Sequence, residues 1–151
     1  MSSAELRREI DFGLENLEKV YARIRQFAQQ EIDAGVKTSA LTYECLGYYN
    51  AIEHLFIRML KFRSIAIPSG PFSHRDILKT FETFVHESSI LANAESLQII
   101  ENLMAFRHVA TKIYGFLIDA NKLSFVIRDI EAHHDRIKQL ILDVVFSIEE
   151  K

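Results

Sequence analysis

The sequence predicts an all-α domain, an up-and-down bundle of four long helices plus one short helix. Apolar residues recur every three or four positions through most of the chain, which is the spacing of one face of a helix. Only five glycines and two prolines occur among 151 residues, whereas a fold of many short strands needs frequent turn residues. The hydrophobic content of 48% also suggests a face that a second copy covers, so we expect a dimer.

The first two helices have the longest periodic patterns. Ser2 and Glu5 form a capping box, and the apolar pattern that follows predicts a helix ending near residues 33–35. A second helix is predicted over residues 38–63. Its middle, residues 41–60, is apolar or aromatic nearly all round, which is typical of a central helix or one that another subunit covers.

Three further helices complete the predicted bundle. Residues 65–72 hold both prolines and Gly70 and form a loop, after which Ser73 is predicted to cap a short helix reaching about residue 86. Asn93 is predicted to cap a fourth helix that Gly115 ends, and a last helix follows residues 119–121. No repeat or internal boundary is visible, so residues 1–151 are predicted to form a single domain.

Composition excludes several functional classes. The net charge of −3 does not indicate a nucleic-acid-binding protein, so any RNA contact must come from a local basic patch. The single cysteine, Cys45, lies in an apolar helical run and is expected to be buried. Common nucleotide and zinc signatures are absent, and we expect no cofactor. Without a signal-like or membrane-spanning run, we expect a soluble cytoplasmic protein.

A candidate site lies at the predicted end of the fourth helix. Arg107, His108, Lys112 and Tyr114 fall within eight positions. In a helix that continues to Gly115, Tyr114 shares a face with Arg107, while His108 and Lys112 are neighbours roughly 100–140° round from Arg107. Such a group could hold a phosphate and move a proton. The alternative is a solvated helix end whose cations interact with the helix dipole.

Two other groups carry less specific signals. The densest basic cluster ends the second helix and could face a phosphate or complement the helix dipole; it consists of Arg58, Lys61 and Arg63. His133 and His134 interrupt the apolar stripe of the last helix. With Asp129 they could form a metal pair, but two ligands do not make a site, so buried or interfacial histidines are favoured and no metal is predicted.

Residues 107–116 resemble the signature of the HEPN superfamily, and within it the HepT-like proteins, in which an arginine and a polar residue precede His-x-Tyr on a bundle helix. Two further stretches are similar in kind: the aromatic run of residues 43–59, and residues 70–81 with the sequence His-Arg-Asp-Ile-Leu at 74–78. The resemblance covers roughly residues 40 to 140. It implies a homodimer in which two motifs face each other and form a metal-independent RNase site.

The same resemblance implies roles and a partner. Arg107 would bind the phosphate, His108 would be the polar residue of the motif, and Tyr114 would be the phenol that can receive AMP. In HepT-type toxin–antitoxin pairs the enzyme that attaches AMP is a minimal nucleotidyltransferase, which is therefore the expected partner.

The departure from the motif is Lys112, which stands where the family has its histidine. A lysine is normally protonated near neutral pH, so it can bind phosphate but is a poor general base. Two outcomes stay open. His108 could take over proton transfer, or the site is degenerate and the chain is a non-enzymatic binding or assembly partner of a nucleotidyltransferase. We favour weak or lost ribonuclease activity.

Overall fold

The computed structural model describes residues 1–88, 94–114 and 117–149. Within these ranges the chain is all-α, as predicted, and contains no strand. The helices are α1 (Ser3–Gln29), α2 (Ala34–Phe62), α3 (Ser73–Glu87), α4 (Ala94–Ala110) and α5 (Ala120–Glu149). None of the helices in the described ranges combines the length and apolar character that crossing a bilayer requires.

The second helix, α2, is the centre of the bundle. It packs against each of the other four helices, which explains why residues 41–60 lack a polar face. Tyr48, Tyr49, Ile52 and Phe56 are fully buried, and the Phe56 ring stacks on Phe81 of α3 with centroids 3.8 Å apart. This central position confirms one of the two interpretations of the apolar α2 sequence.

Three of the predicted helix boundaries shift: α1 ends at Gln29 rather than near residues 33–35, and α2 and α3 begin differently for local reasons. The Asp33 carboxylate accepts a hydrogen bond from the Val36 backbone at 3.1 Å, so α2 begins at Ala34 rather than near residue 38. Phe72, not Ser73, occupies the N-cap of α3. The predicted capping residue Asn93 lies outside the described residues, whereas the Ser2 cap is confirmed by a 3.2 Å bond from the Glu5 backbone.

The largest correction concerns α4, which ends at Ala110 and not at Gly115. The Lys112 backbone N–H donates to the Val109 carbonyl at 3.1 Å, which is the tight turn typical of a terminating helix. β-Branched residues at 109, 111 and 113 weaken helix propagation here. The face shared by Arg107 and Tyr114, which assumed a continuous helix, therefore does not exist.

The paired histidines of α5 belong to the interior, as favoured from the sequence. His134 stacks on Tyr21 with centroids 3.8 Å apart, and its Nε2 lies 2.8 Å from a Glu18 oxygen. Because a carboxylate only accepts, Nε2–H donates to Glu18 and Nδ1 accepts from the Tyr48 hydroxyl at 2.8 Å. His133 is also buried. No metal-binding group of three His, Cys, Asp or Glu residues occurs in the described ranges.

Cys45 is buried, as predicted. Burial, with a smaller contribution from the neighbouring Glu44 carboxylate, raises the pKa of its thiol to about 12. Since the thiolate is the reactive form, this cysteine is a packing residue rather than a nucleophile.

Candidate functional site

Arg107 is the half-buried cation of the last turn of α4. Its Nε donates to the Asn50 side-chain oxygen on α2 at 3.1 Å. That bond fixes the guanidinium plane and leaves both terminal nitrogens for a ligand, since among the described residues no ion pair includes Arg107. A positioned guanidinium of this kind is suited to bidentate contact with a phosphate.

The Arg107 side chain lines a cavity of about 420 Å³ between the start of α3 and the end of α4. We call this the cationic cavity. Its lining contains two arginines, two histidines and no acidic residue; the nine residues are Pro71, Phe72, His74, Arg75, Met104, Ala105, Arg107, His108 and Val109. Two of the predicted site residues, Arg107 and His108, thus line the same cavity.

The α3 side of the cavity adds a histidine and an arginine that the sequence analysis did not assign to the site. His74 and Arg75 occupy the first turn of α3, where the helix dipole is positive. The Arg75 guanidinium lies over the Phe72 ring, 4.7 Å from its centroid, and pairs with Asp76 at 3.6 Å. The only sequence signal for these two residues was the similarity of residues 70–81 to the family pattern.

Beneath the cavity, α2 supplies a buried polar layer. The Glu53 carboxylate is buried and lies 2.8 Å and 3.0 Å, by its two oxygens, from Nδ1 of His74. Burial, followed by the nearby Glu53 carboxylate, raises the pKa of the buried Tyr49, and the Arg107 charge opposes that rise. Tyr49 is therefore a neutral phenol, and Arg107 is close enough to interact with it electrostatically.

Lys112 and Tyr114 are not part of the cavity lining. Both residues follow the end of α4 and are exposed, Tyr114 by 73%. Because α4 ends early, the compact group of four residues predicted from the sequence is divided. Arg107 and His108 line the cavity, while Lys112 and Tyr114 lie on the segment beyond it.

The basic cluster at the end of α2 is also separate from the cavity lining. Arg58 forms an ion pair with Glu9 of α1 at 3.6 Å, so part of its charge is neutralised within the fold. Lys61 and Arg63 are exposed, and neither forms an ion pair within the described ranges.

An apolar groove of about 460 Å³ adjoins the cationic cavity, and Val109 lines both. Large apolar side chains in this groove are exposed, with Val109 at 48%, Leu117 at 58% and Phe125 at 63%. A cluster of exposed apolar side chains marks an interaction surface more often than single, scattered ones do.

The fold and cavity define the class as an all-α bundle with a motif arginine positioned at the end of its fourth helix. The family model described as HepT-like protein matches residues 40–147. The chain therefore belongs to the HepT-like proteins of the HEPN superfamily, which confirms the resemblance drawn from residues 107–116. Neither the curated proteins nor the solved structures provided a match.

Proposed function

We propose that this protein is the HepT-like member of a toxin–antitoxin type system, and that the cationic cavity binds RNA phosphates and cleaves RNA weakly without a metal ion. The observation that carries the proposal is the Arg107 guanidinium, which Asn50 orients while its terminal nitrogens remain uncommitted. The same cavity lining contains His74 and His108, whose imidazoles can accept or donate protons.

A homodimer is part of this proposal. The apolar groove borders the cationic cavity, so a second copy covering the groove would bring its own cationic cavity close to the first. Lys112 and Tyr114, exposed on the adjoining segment, would then be near the junction of the two copies. This arrangement is consistent with the paired motifs that the HEPN resemblance implies.

The dimer can be tested with two phenylalanines of equal exposure. Phe125 lines the groove and Phe12 lies on α1, and each is 63% exposed. We expect Phe125→Glu to shift the mass measured by light scattering toward the monomer, because the charge would be buried in the interface. Phe12→Glu should leave the mass unchanged. A monomeric wild-type protein at micromolar concentration would refute the dimer.

RNA cleavage tests the catalytic part of the proposal. Arg107→Ala should lower the cleavage rate about 10²- to 10³-fold, as removal of a donor to a transition-state oxyanion does. His108→Ala should also lower it, and Arg8→Ala, at an exposed arginine of α1, should not. If the wild type cleaves no RNA from a varied pool, catalysis is refuted and phosphate binding alone is left to test.

We also propose that the cluster of Arg58, Lys61 and Arg63 contributes non-specific affinity for RNA. Contacts of this kind act through the phosphate charge and become weaker as salt displaces them. Lys61→Ala combined with Arg63→Ala should weaken binding of all RNA sequences to a similar degree and reduce the salt dependence of the affinity. Unchanged affinity at every salt concentration would exclude the cluster from the RNA interface.

The second candidate is a non-enzymatic partner of a minimal nucleotidyltransferase, favoured by the exposure of Tyr114 and by Lys112 in place of the motif histidine. A 73% exposed phenol is accessible to a modifying enzyme. Co-expression with a nucleotidyltransferase encoded beside this gene should give co-purification and an added mass of one AMP per chain, absent in Tyr114→Phe. Lys112→His should raise toxicity if the site is otherwise intact. No complex and no added mass would count against this candidate.

A further inference from the structure

The cavity contains a histidine whose orientation is set by a buried carboxylate. His74 is the second residue of α3, and its Nδ1 lies within 3.0 Å of both oxygens of Glu53 on α2. The Glu53 side chain is only 8% exposed, whereas the His74 side chain is 40% exposed. The carboxylate is therefore part of the interior, and the imidazole lies between that interior and the open cavity.

This pairing determines which nitrogen of His74 can act. A carboxylate has no proton to donate when ionised, so Nδ1 must carry the hydrogen that joins His74 to Glu53. In the neutral imidazole Nε2 then has a free lone pair. No hydrogen bond to Nε2 of His74 occurs within the described ranges, and the residue lines the same cavity as Arg107.

We propose that His74, positioned by Glu53, is the general base of the RNA cleavage described under Proposed function, on which this inference rests. Nε2 of His74 accepts the proton of a ribose 2′-hydroxyl while that oxygen attacks the adjacent phosphorus. The bond from phosphorus to O2′ forms and the bond from phosphorus to O5′ breaks. His108 donates a proton to the departing O5′, giving a 2′,3′-cyclic phosphate and a 5′-hydroxyl. Exchange with water restores both histidines, so the sequence of steps needs no other reactant.

Each of the alternative bases lacks either access to the cavity or a carboxylate that orients it. Lys112 is exposed and lies outside the cavity lining. His108 lines the cavity, but within the described ranges no carboxylate orients its ring. Among the described residues, only His74 combines cavity access with a fixed tautomer, an arrangement that the serine hydrolases also use to hold a catalytic imidazole. Arg107 binds and neutralises the phosphate, and Glu53 acts as a positioning residue.

The test uses the full-length protein with a cleavable RNA and with its 2′-deoxy analogue, which binds but cannot be cleaved. His74→Asn keeps an N–H donor for Glu53 and removes the titratable nitrogen, so it should fold with an unchanged melting temperature. We expect its kcat to fall about 10²- to 10⁴-fold while its affinity for the 2′-deoxy analogue stays the same. His86→Ala, at an exposed histidine near the end of the same helix, is the matched control and should retain full activity.

Chemical rescue distinguishes a catalytic role of His74 from a purely structural one. In His74→Ala, added imidazole should restore part of the lost rate, because the open cavity admits the small base. Glu53→Gln should lower kcat, because its amide can hold His74 in the wrong tautomer, and Glu53→Asp should recover part of the lost rate.

Wild-type cleavage together with full activity of His74→Asn would overturn this inference alone. Loss of activity without imidazole rescue, accompanied by weaker analogue binding, would also overturn it. An inactive wild type would overturn both this inference and the catalytic proposal.

Discussion

Replacing Glu82 by glutamine should stabilise the protein at alkaline pH and leave its stability nearly unchanged at acidic pH. Glu82 of α3 faces Glu101 of α4, and its Oε1 has no hydrogen-bond donor in the described ranges. Burial, then the charge of Glu101 and a hydrogen bond to it, raise the pKa of Glu82 from 4.5 to about 7. Two ionised carboxylates can only accept, so the contact is favourable only while one carboxyl keeps its proton.

The sign of the pH dependence follows from this raised pKa. The folded protein retains the Glu82 proton at pH values where the unfolded chain has released it, so this stabilisation is complete below pH 4.5 and lost as the pH rises through about 7. The full shift corresponds to about 3 kcal/mol. Because the carboxyl is only partly withdrawn from water, we expect about half of that, about 1–2 kcal/mol.

Urea unfolding at pH 5, 6, 7 and 8, at one protein concentration, measures this effect. Glu82→Gln should gain about 1–2 kcal/mol over the wild type at pH 8 and much less at pH 5, since glutamine imitates the protonated acid. Glu87→Gln, at an exposed position at the end of the same helix, should differ from the wild type by a small amount that does not vary with pH. A difference for Glu82→Gln that is constant from pH 5 to pH 8 would refute the shared-proton explanation.

Two further predictions concern packing and buried hydrogen bonds, both measured by urea unfolding at neutral pH. A Cβ at Gly13 would lie 2.5 Å from Cδ2 of the buried Leu55, so Gly13→Ala should lower the free energy of unfolding by about 1–3 kcal/mol. Gly47→Ala, where the added Cβ makes only ordinary contacts, should raise it by about 0.5–1 kcal/mol. Equal effects of the two substitutions would contradict the close packing of α1 on α2. Tyr48→Phe leaves the buried Nδ1 of His134 without a donor and should cost about 1–3 kcal/mol, and an unchanged stability would show that the bond contributes nothing.

The helical architecture was predictable because the buried positions of a helix are apolar and recur every three or four residues in the sequence. Positions three and four apart, such as Leu6 and Ile10, are both fully buried, as the periodic pattern requires. The predictions of the Ser2 cap and of a buried Cys45 were confirmed because each depends only on the residue type and its near neighbours in the sequence. The end of α4 was not predicted, because a glycine at 115 outweighed the β-branched residues that stop the helix earlier.

The composition of the cavity depends on information that periodicity does not contain. The pattern of a helix shows which side faces inward, but not how far two helices slide along each other or rotate. The contact between Arg107 and Asn50 spans 57 positions, and that between His74 and Glu53 spans 21. Such pairs follow from the relative placement of α2, α3 and α4. Of the four residues, only Arg107 was therefore a candidate site residue on the sequence alone.

This placement changes what Lys112 implies about activity. From the motif alone, a lysine in place of the histidine removes the general base and argues for a degenerate site. General-base catalysis, however, requires an imidazole with a free nitrogen near the scissile phosphate, whichever helix carries it. His74 reaches the Arg107 cavity from α3 and has its tautomer fixed by a carboxylate, so the acid–base catalysis that we propose does not depend on a histidine at position 112.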